Sequence, residues 1–114
     1  VSAAKSLGEW LAEEPFGLTM SSGFFAFFAH TGLLSSLLEA GLTPESVSGS
    51  SAGALVTGAY ASGLGPDDLT RELVGLRREH FWDPAPGLGF LRGELFLRRL
   101  ESMMPSARLE DARV

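Results

Sequence analysis

With 114 residues, a net charge of −5, 45% hydrophobic and 20% charged residues, the chain has the make-up of a folded globular protein of one domain at most. The acidic balance argues against a nucleic-acid partner, because phosphate binding needs clustered Lys and Arg. The absence of Cys excludes disulfides, thiol nucleophiles and thiolate zinc sites. Two His are too few for a His-rich metal centre.

In chain order, Ser6 to Glu14 carries Leu7, Trp10 and Leu11 at helical spacing and is closed by Pro15, which predicts a short amphipathic helix. Phe16 to Met20 is a short apolar run, expected as a buried strand, and Ser21-Ser22-Gly23 reads as a turn. From about Phe25 to Ala40, Phe27, His30, Leu33, Leu34, Leu37 and Leu38 follow the i, i+3, i+4 rule of a helix. Gly41 stands where the glycine after a helix C-terminus belongs. Thr43-Pro44-Glu45 is a turn, and Ser46-Val47-Ser48 a very short strand. Ala52 to Ser62 is a helix of mostly small residues, able to approach a sheet closely and ended by Gly63.

Gly65-Pro66-Asp67-Asp68 opens a further helix, expected to run to about His80, with its acidic residues matching the helix dipole. A Pro/Gly-rich loop, residues 81–89, precedes a helix from Glu94 to Met103. Leu109 to Val114 is expected to lead into another strand. The order α-β-α-β-α-α-α predicts an α/β fold with parallel strands.

The most apolar run, Phe24 to Leu38, is broken by His30, Thr31 and a serine pair and is too short to cross a bilayer. No secretory leader pattern opens the chain, so a soluble, cytoplasmic protein is expected. The chain begins with Val and stops at Asp111-Ala112-Arg113-Val114. Both ends read as cut, and residues 1–114 are expected to be part of a longer domain.

Gly49-Ser50-Ser51-Ala52-Gly53 matches G-x-S-x-G. With 14 Gly in the chain, the pentapeptide arises by chance in roughly one shuffle in five, so its context has to decide. That context is a short strand followed by a helix, where a nucleophile elbow lifts a serine hydroxyl out of a sheet. The positions two before and two after the serine must then be small, as Gly49 and Gly53 are. Ser51 is therefore the candidate nucleophile, and Ser48 and Ser50, which lack flanking glycines at both positions, read as turn formers. The helix from Ala52 points unpaired N–H groups and its positive end at Ser51. The turn at Ser21 to Gly23 also leads from a strand into a helix. Two such turns on adjacent parallel strands open at one sheet edge, which makes the N–H groups of Gly23 and Phe24 the candidate oxyanion donors.

These residues resemble the patatin-like phospholipases. That family has a Gly-rich oxyanion turn, a helix with H-x-G-[VL]-L that ends in E-A-G, then a strand and G-x-S-x-G. Here His30-Thr31-Gly32-Leu33-Leu34, Glu39-Ala40-Gly41 and Gly49-Ser50-Ser51-Ala52-Gly53 follow in that order. The likeness covers about Phe16 to Gly63 well and the remainder more loosely. It implies a three-layer α/β/α sandwich, of which 1–114 is the N-terminal portion. It also implies hydrolysis of lipid acyl esters by a Ser–Asp dyad, with peripheral membrane contact as a further expectation.

Two features depart from the family pattern. Its G-G-G-x-R-G turn is represented by Ser22-Gly23-Phe24-Phe25-Ala26-Phe27, with Ala26 at the Arg position. The dyad Asp, in a D-G-[GA] motif, has no counterpart here: Asp67 and Asp68 open a helix, Asp83 precedes a proline, and Asp111 lies near the end. The base is therefore expected outside this segment.

Two other functions remain compatible with the residues. A Ser-His-Asp hydrolase or acyltransferase would use His30 or His80, and a non-enzymatic lipid-binding domain could keep the fold. His30 is expected to pack its helix. Phe24, Phe25, Phe27 and Phe28 are expected to divide between the core and an acyl cleft. Arg71, Arg77, Arg78, Arg92, Arg98 and Arg99 are expected on solvated helix faces.

Overall fold

The structure is a computed structural model that describes residues 3–23, 26–80, 82–84, 87, 94–106 and 108–114, with the side chain of residue 78 left aside. Its centre is a β-α-β unit. Strand β1 (Gly17–Met20) pairs in parallel with β2 (Ser46–Gly49), matching Gly17 with Ser46, Leu18 with Val47, Thr19 with Ser48 and Met20 with Gly49. Parallel neighbours need a crossover, and helix α2 (Ala26–Glu39) supplies it.

The pleat sorts the strand residues. Met20 is buried and Leu18 and Val47 are half-buried, whereas Thr19, Ser46 and Ser48 are exposed. The Thr19 and Ser48 hydroxyls meet across the ladder at 2.9 Å.

Helix α3 (Ala52–Ser62) packs against both strands and against α2. It buries Ala52, Gly53, Val56, Thr57 and Ala59, so the small side chains expected from the sequence let its backbone come close to the sheet. The buried hydroxyls return to their own helices: Thr57 Oγ1 donates to the Gly53 carbonyl at 2.8 Å, and Thr31 Oγ1 to the Phe27 carbonyl at 2.6 Å. Helix α4 (Pro66–Val74) has Gly65 at its N-cap, Pro66 at its first position and Asp67 and Asp68 in its first turn. Its Leu69 and Leu73 join Met20, Leu34, Val56 and Ala59 in one buried cluster.

α2 and α3 both end on a left-handed glycine, Gly41 (φ 74°) and Gly63 (φ 108°). Leu42 N–H donates to Leu37 O and Gly41 N–H to Leu38 O; Leu64 and Gly63 repeat the pattern on Ala59 and Tyr60. These paired bonds satisfy the last carbonyls of each helix and stop it there.

The α/β order and the parallel pairing agree with the sequence reading; three details correct it and one, at α1, adds to it. α4 ends at Val74, not near His80, because Gly75 caps it and residues 78–80 form a separate 3-10 turn. Leu109–Asp111 is a 3-10 turn, not the start of a strand, and the following Arg113 N–H instead donates to the Ala61 carbonyl at 2.8 Å. Helix α1 (Leu7–Leu11) forms behind its Ser6 cap, but Leu7 and Trp10 stay more than 60% exposed, so its apolar side has no counterpart among the described residues. Arg99 of helix α5 (Glu94–Met103) is not on a solvated face. It bonds Glu72 of α4 at 2.5 Å, with both side chains about two-thirds buried. No described helix is long and apolar enough to cross a membrane.

Candidate active site

Both crossover turns leave the sheet at the C-terminal ends of their strands. Ser50 N–H donates to the Met20 carbonyl at 3.1 Å and ties the end of β2 to the end of β1. The residues that follow, Ser21 to Gly23 on one side and Ser51 on the other, therefore share one edge of the sheet. Open parallel sheets bind ligands at that edge.

Ser51 has φ 51° and ψ −115°, the one positive φ at a non-glycine among the described residues. This lies outside the ordinary left-handed well, and such a conformation costs about 1–3 kcal/mol, which the surrounding structure must offset. Ser51 also occupies the N-cap of α3, where a serine ordinarily turns its hydroxyl onto the N–H of the second or third helical residue. It makes no such bond. The Gly53 N–H is taken by the Ser50 carbonyl at 2.9 Å instead. Ser51 is exposed, and its hydroxyl makes no cap bond to α3.

The flanking glycines are needed for the close approach. A Cβ on Gly49 would run into the Gly53 carbonyl and lie 2.6 Å from Ala54 N. One on Gly53 would strike the Met20 carbonyl oxygen and lie 2.8 Å from Met20 Cβ. The sharp turn at Ser51 and the tight seat of α3 on β1 thus depend on the same two positions.

Across the edge, Ala26 N–H donates to the Gly23 carbonyl at 3.1 Å and closes the second turn. A Cβ on Gly23 would lie 2.7 Å from Ala26 Cβ, so this turn too is packed for glycine. Phe24, the other expected oxyanion donor, and Phe25 lie outside the described residues. Phe27 is packed against the core, whereas Phe28 is 46% exposed, their rings 4.8 Å apart and tilted. The Ala52 N–H, first of the unpaired donors expected at the start of this helix, opens α3 directly after Ser51 and has no helical acceptor.

The other titratable candidates have structural partners. His30 Nε2 lies 2.8 Å from the Ser21 carbonyl, and His80 Nδ1 accepts the Arg77 N–H at 3.1 Å. Asp68 pairs with Arg71 at 2.9 Å, and Asp83 accepts the Leu95 N–H at 3.2 Å, next to the start of α5. Ser48 is engaged with Thr19, and the Ser50 main chain bridges β1 and α3. Among the described residues no three His, Asp or Glu side chains gather as a metal-ligand set.

No solved structure gives a significant match to the chain. A model of the patatin-like phospholipase family matches residues 18–113, from the second residue of β1 to the penultimate residue of the chain. Since that covers far more than half of its length, the chain belongs to the patatin-like phospholipase family, whose chemistry is the hydrolysis of lipid acyl groups.

Proposed function

We propose that residues 1–114 are the N-terminal portion of a patatin-like serine hydrolase domain, and that Ser51 is its nucleophile. The observation that carries this reading is the backbone of Ser51, a strained positive φ at a helix N-cap whose hydroxyl does not cap. A turn-forming serine has no need of that strain, whereas a nucleophile held out of the sheet does. The complete domain is a three-layer α/β/α sandwich in this reading, and the two strands described are part of its sheet.

Ser51 Oγ attacks the ester carbonyl carbon as an Asp, supplied from outside this segment, takes its proton. The carbonyl oxygen becomes an oxyanion held by main-chain N–H groups. Gly23 and Phe24 supply them from one turn, and Ala52 adds a third from the helix start. Collapse of this intermediate expels the alcohol, which takes its proton back from the Asp, and leaves an acyl-Ser51 ester. Water, activated by the same Asp, then hydrolyses it and restores the hydroxyl.

A His-based triad has less support. The His80 lone pair on Nδ1 already accepts a backbone N–H, and His30 presents Nε2 to a carbonyl oxygen. The substrate class is a lipid acyl ester. Phe28, exposed in the first turn of α2, belongs to the apolar rim that meets the acyl chain or the lipid surface. Nothing in the reaction calls for a metal or cofactor.

A fluorophosphonate probe applied to the full-length protein tests the assignment. It should label Ser51, leave Ser48 and Ser50 unmodified, and lose its target in Ser51→Ala. Labelling that persists in that variant overturns the assignment. An intact protein that binds lipid vesicles but is never labelled would instead be a non-enzymatic lipid-binding domain.

A further inference from the structure

His30 is absorbed by neither the core nor the proposed chemistry, and its hydrogen bond to Ser21 reaches back across nine residues. Its Nε2 lies 2.8 Å from the carbonyl oxygen of Ser21. A carbonyl oxygen can only accept, so Nε2 carries the proton and donates. The reach follows from helix geometry. Side chains in a helix lean toward its N-terminus, and His30 sits in the second turn of α2, so its ring returns over the first turn toward the end of β1.

The accepting group stands at a sensitive place. Ser21 is the first residue after β1, and the peptide from Ser21 to Ser22 is planar. Fixing the Ser21 carbonyl therefore fixes the direction of the Ser22 N–H and the path of the chain into Gly23. At its other side the same turn is held by the Ala26 N–H on the Gly23 carbonyl at 3.1 Å. The two bonds together pin residues 21–23 from both ends, and both depend on α2. The Arg position of the family's turn is Ala26 here, so the turn carries no cationic side chain of its own.

We infer that His30 is a positioning residue for acyl transfer: its Nε2–H holds the Ser21 carbonyl so that the main-chain N–H groups following β1 stay aimed at the oxyanion. This rests on the reading of Ser51 as nucleophile. A donor group that strays by a fraction of an ångström loses much of its effect on the transition state while barely altering substrate binding. The signature of His30 therefore falls on kcat.

The test compares wild type, Ser51→Ala, His30→Leu and His30→Gln in the full-length protein, using a short-chain ester and the rate of fluorophosphonate labelling. His30→Leu should lower kcat and the labelling rate on the order of tenfold and leave KM within about twofold. His30→Gln, whose amide nitrogen stands near the place of Nε2, should recover most of the loss. Ring nitrogen NMR of the native protein, with His30 assigned by its absence in His30→Gln, should show the Nε2–H tautomer, and this holds whether or not the leucine variant folds. Wild-type kcat in His30→Leu, failure of glutamine to rescue a folded variant, or an Nδ1–H tautomer each overturns the inference. Turnover and labelling that survive Ser51→Ala overturn the nucleophile assignment instead, so the two failures are told apart.

Discussion

The glycines around Ser51 act by being absent volume, and their effect is testable one position at a time. Gly53 sits against the Met20 backbone, while Gly58, one and a half turns further along the same helix, has nothing within 4 Å of where its Cβ would be. Gly53→Ala must push α3 off β1 and should destabilise the full-length protein by about 1–3 kcal/mol, lowering Tm by several degrees. Gly58→Ala removes a helix-breaking residue at no steric cost and should be neutral or stabilise by up to about 1 kcal/mol. Thermal melts of the two variants side by side check this, and equal Tm values would contradict the close seat of α3. At Gly23 the steric and electronic effects separate in a similar way. Gly23→Ala and Gly23→Pro both bring a Cβ against Ala26, but only proline deletes the N–H. If that N–H holds the oxyanion, the proline variant should lose on the order of 10²-fold more kcat than the alanine variant, measured on samples shown to be folded.

Among the elements, α1 and α3 show two different reasons for a helix to exist. α3 has no side-chain cap, and is held by what it buries against the sheet. α1 buries no residue and is held by its capping box, with a Lys5–Glu13 ion pair spanning its two ends. Ser6 N–H donates to the Glu9 carboxylate at 2.7 Å, and Glu9 N–H donates to Ser6 Oγ at 3.2 Å. The Ser6 backbone bond first, and the Ser6 hydroxyl second, hold the Glu9 carboxyl below its ordinary value. A carboxyl with a lowered folded pKa stabilises above its unfolded value and loses that contribution as pH falls through the folded one. α1 should therefore be capped at neutral pH and fray on acidification below the ordinary carboxylate range. Amide exchange within α1, corrected for the intrinsic pH dependence, should speed up at low pH and should already be fast at neutral pH in Ser6→Ala. Protection that is unchanged in both cases would show that something other than the capping box holds α1.

At the scale of the whole molecule, the buried cluster is small for the length of chain. A compact domain of this length has a radius of gyration of about 13 Å; the Cα radius here is 16.4 Å, and the extents are 64 × 29 × 25 Å. α1 and α5 contribute no fully buried residue. The described sheet has two strands, each with one edge left open, and open strand edges invite pairing with other chains. An isolated 114-residue protein should bind a hydrophobic dye, melt without a sharp transition and show no turnover of a short-chain ester. Circular dichroism, dye fluorescence and an esterase assay on the segment check this. A cooperative melt with Ser51-dependent turnover would place the base within these residues, and His30, His80 and Asp83 would be the first to replace.

The sequence by itself determined the local structure wherever a signal acts within a few residues. It carried the order of helices and strands, the ends of α3 and α5, the glycine stops at Gly41 and Gly63, and the tight strand-to-helix turn at Gly49 to Gly53. Each of these follows from period, small size or a required φ, which neighbouring residues decide. What depends on residues far apart in the chain was left to the tertiary structure. The pairing of Arg99 with Glu72 and the exposure of Leu7 and Trp10 depend on what each element meets, and periodicity carries no information about that. The same holds at the site. G-x-S-x-G named Ser51 but not its strained φ, and the H-x-G-[VL]-L pattern marked His30 without its partner. Only the parallel pairing of β1 with β2, and the lean of α2 side chains back toward its start, bring the His30 ring onto the Ser21 carbonyl beside the turn of Ser51.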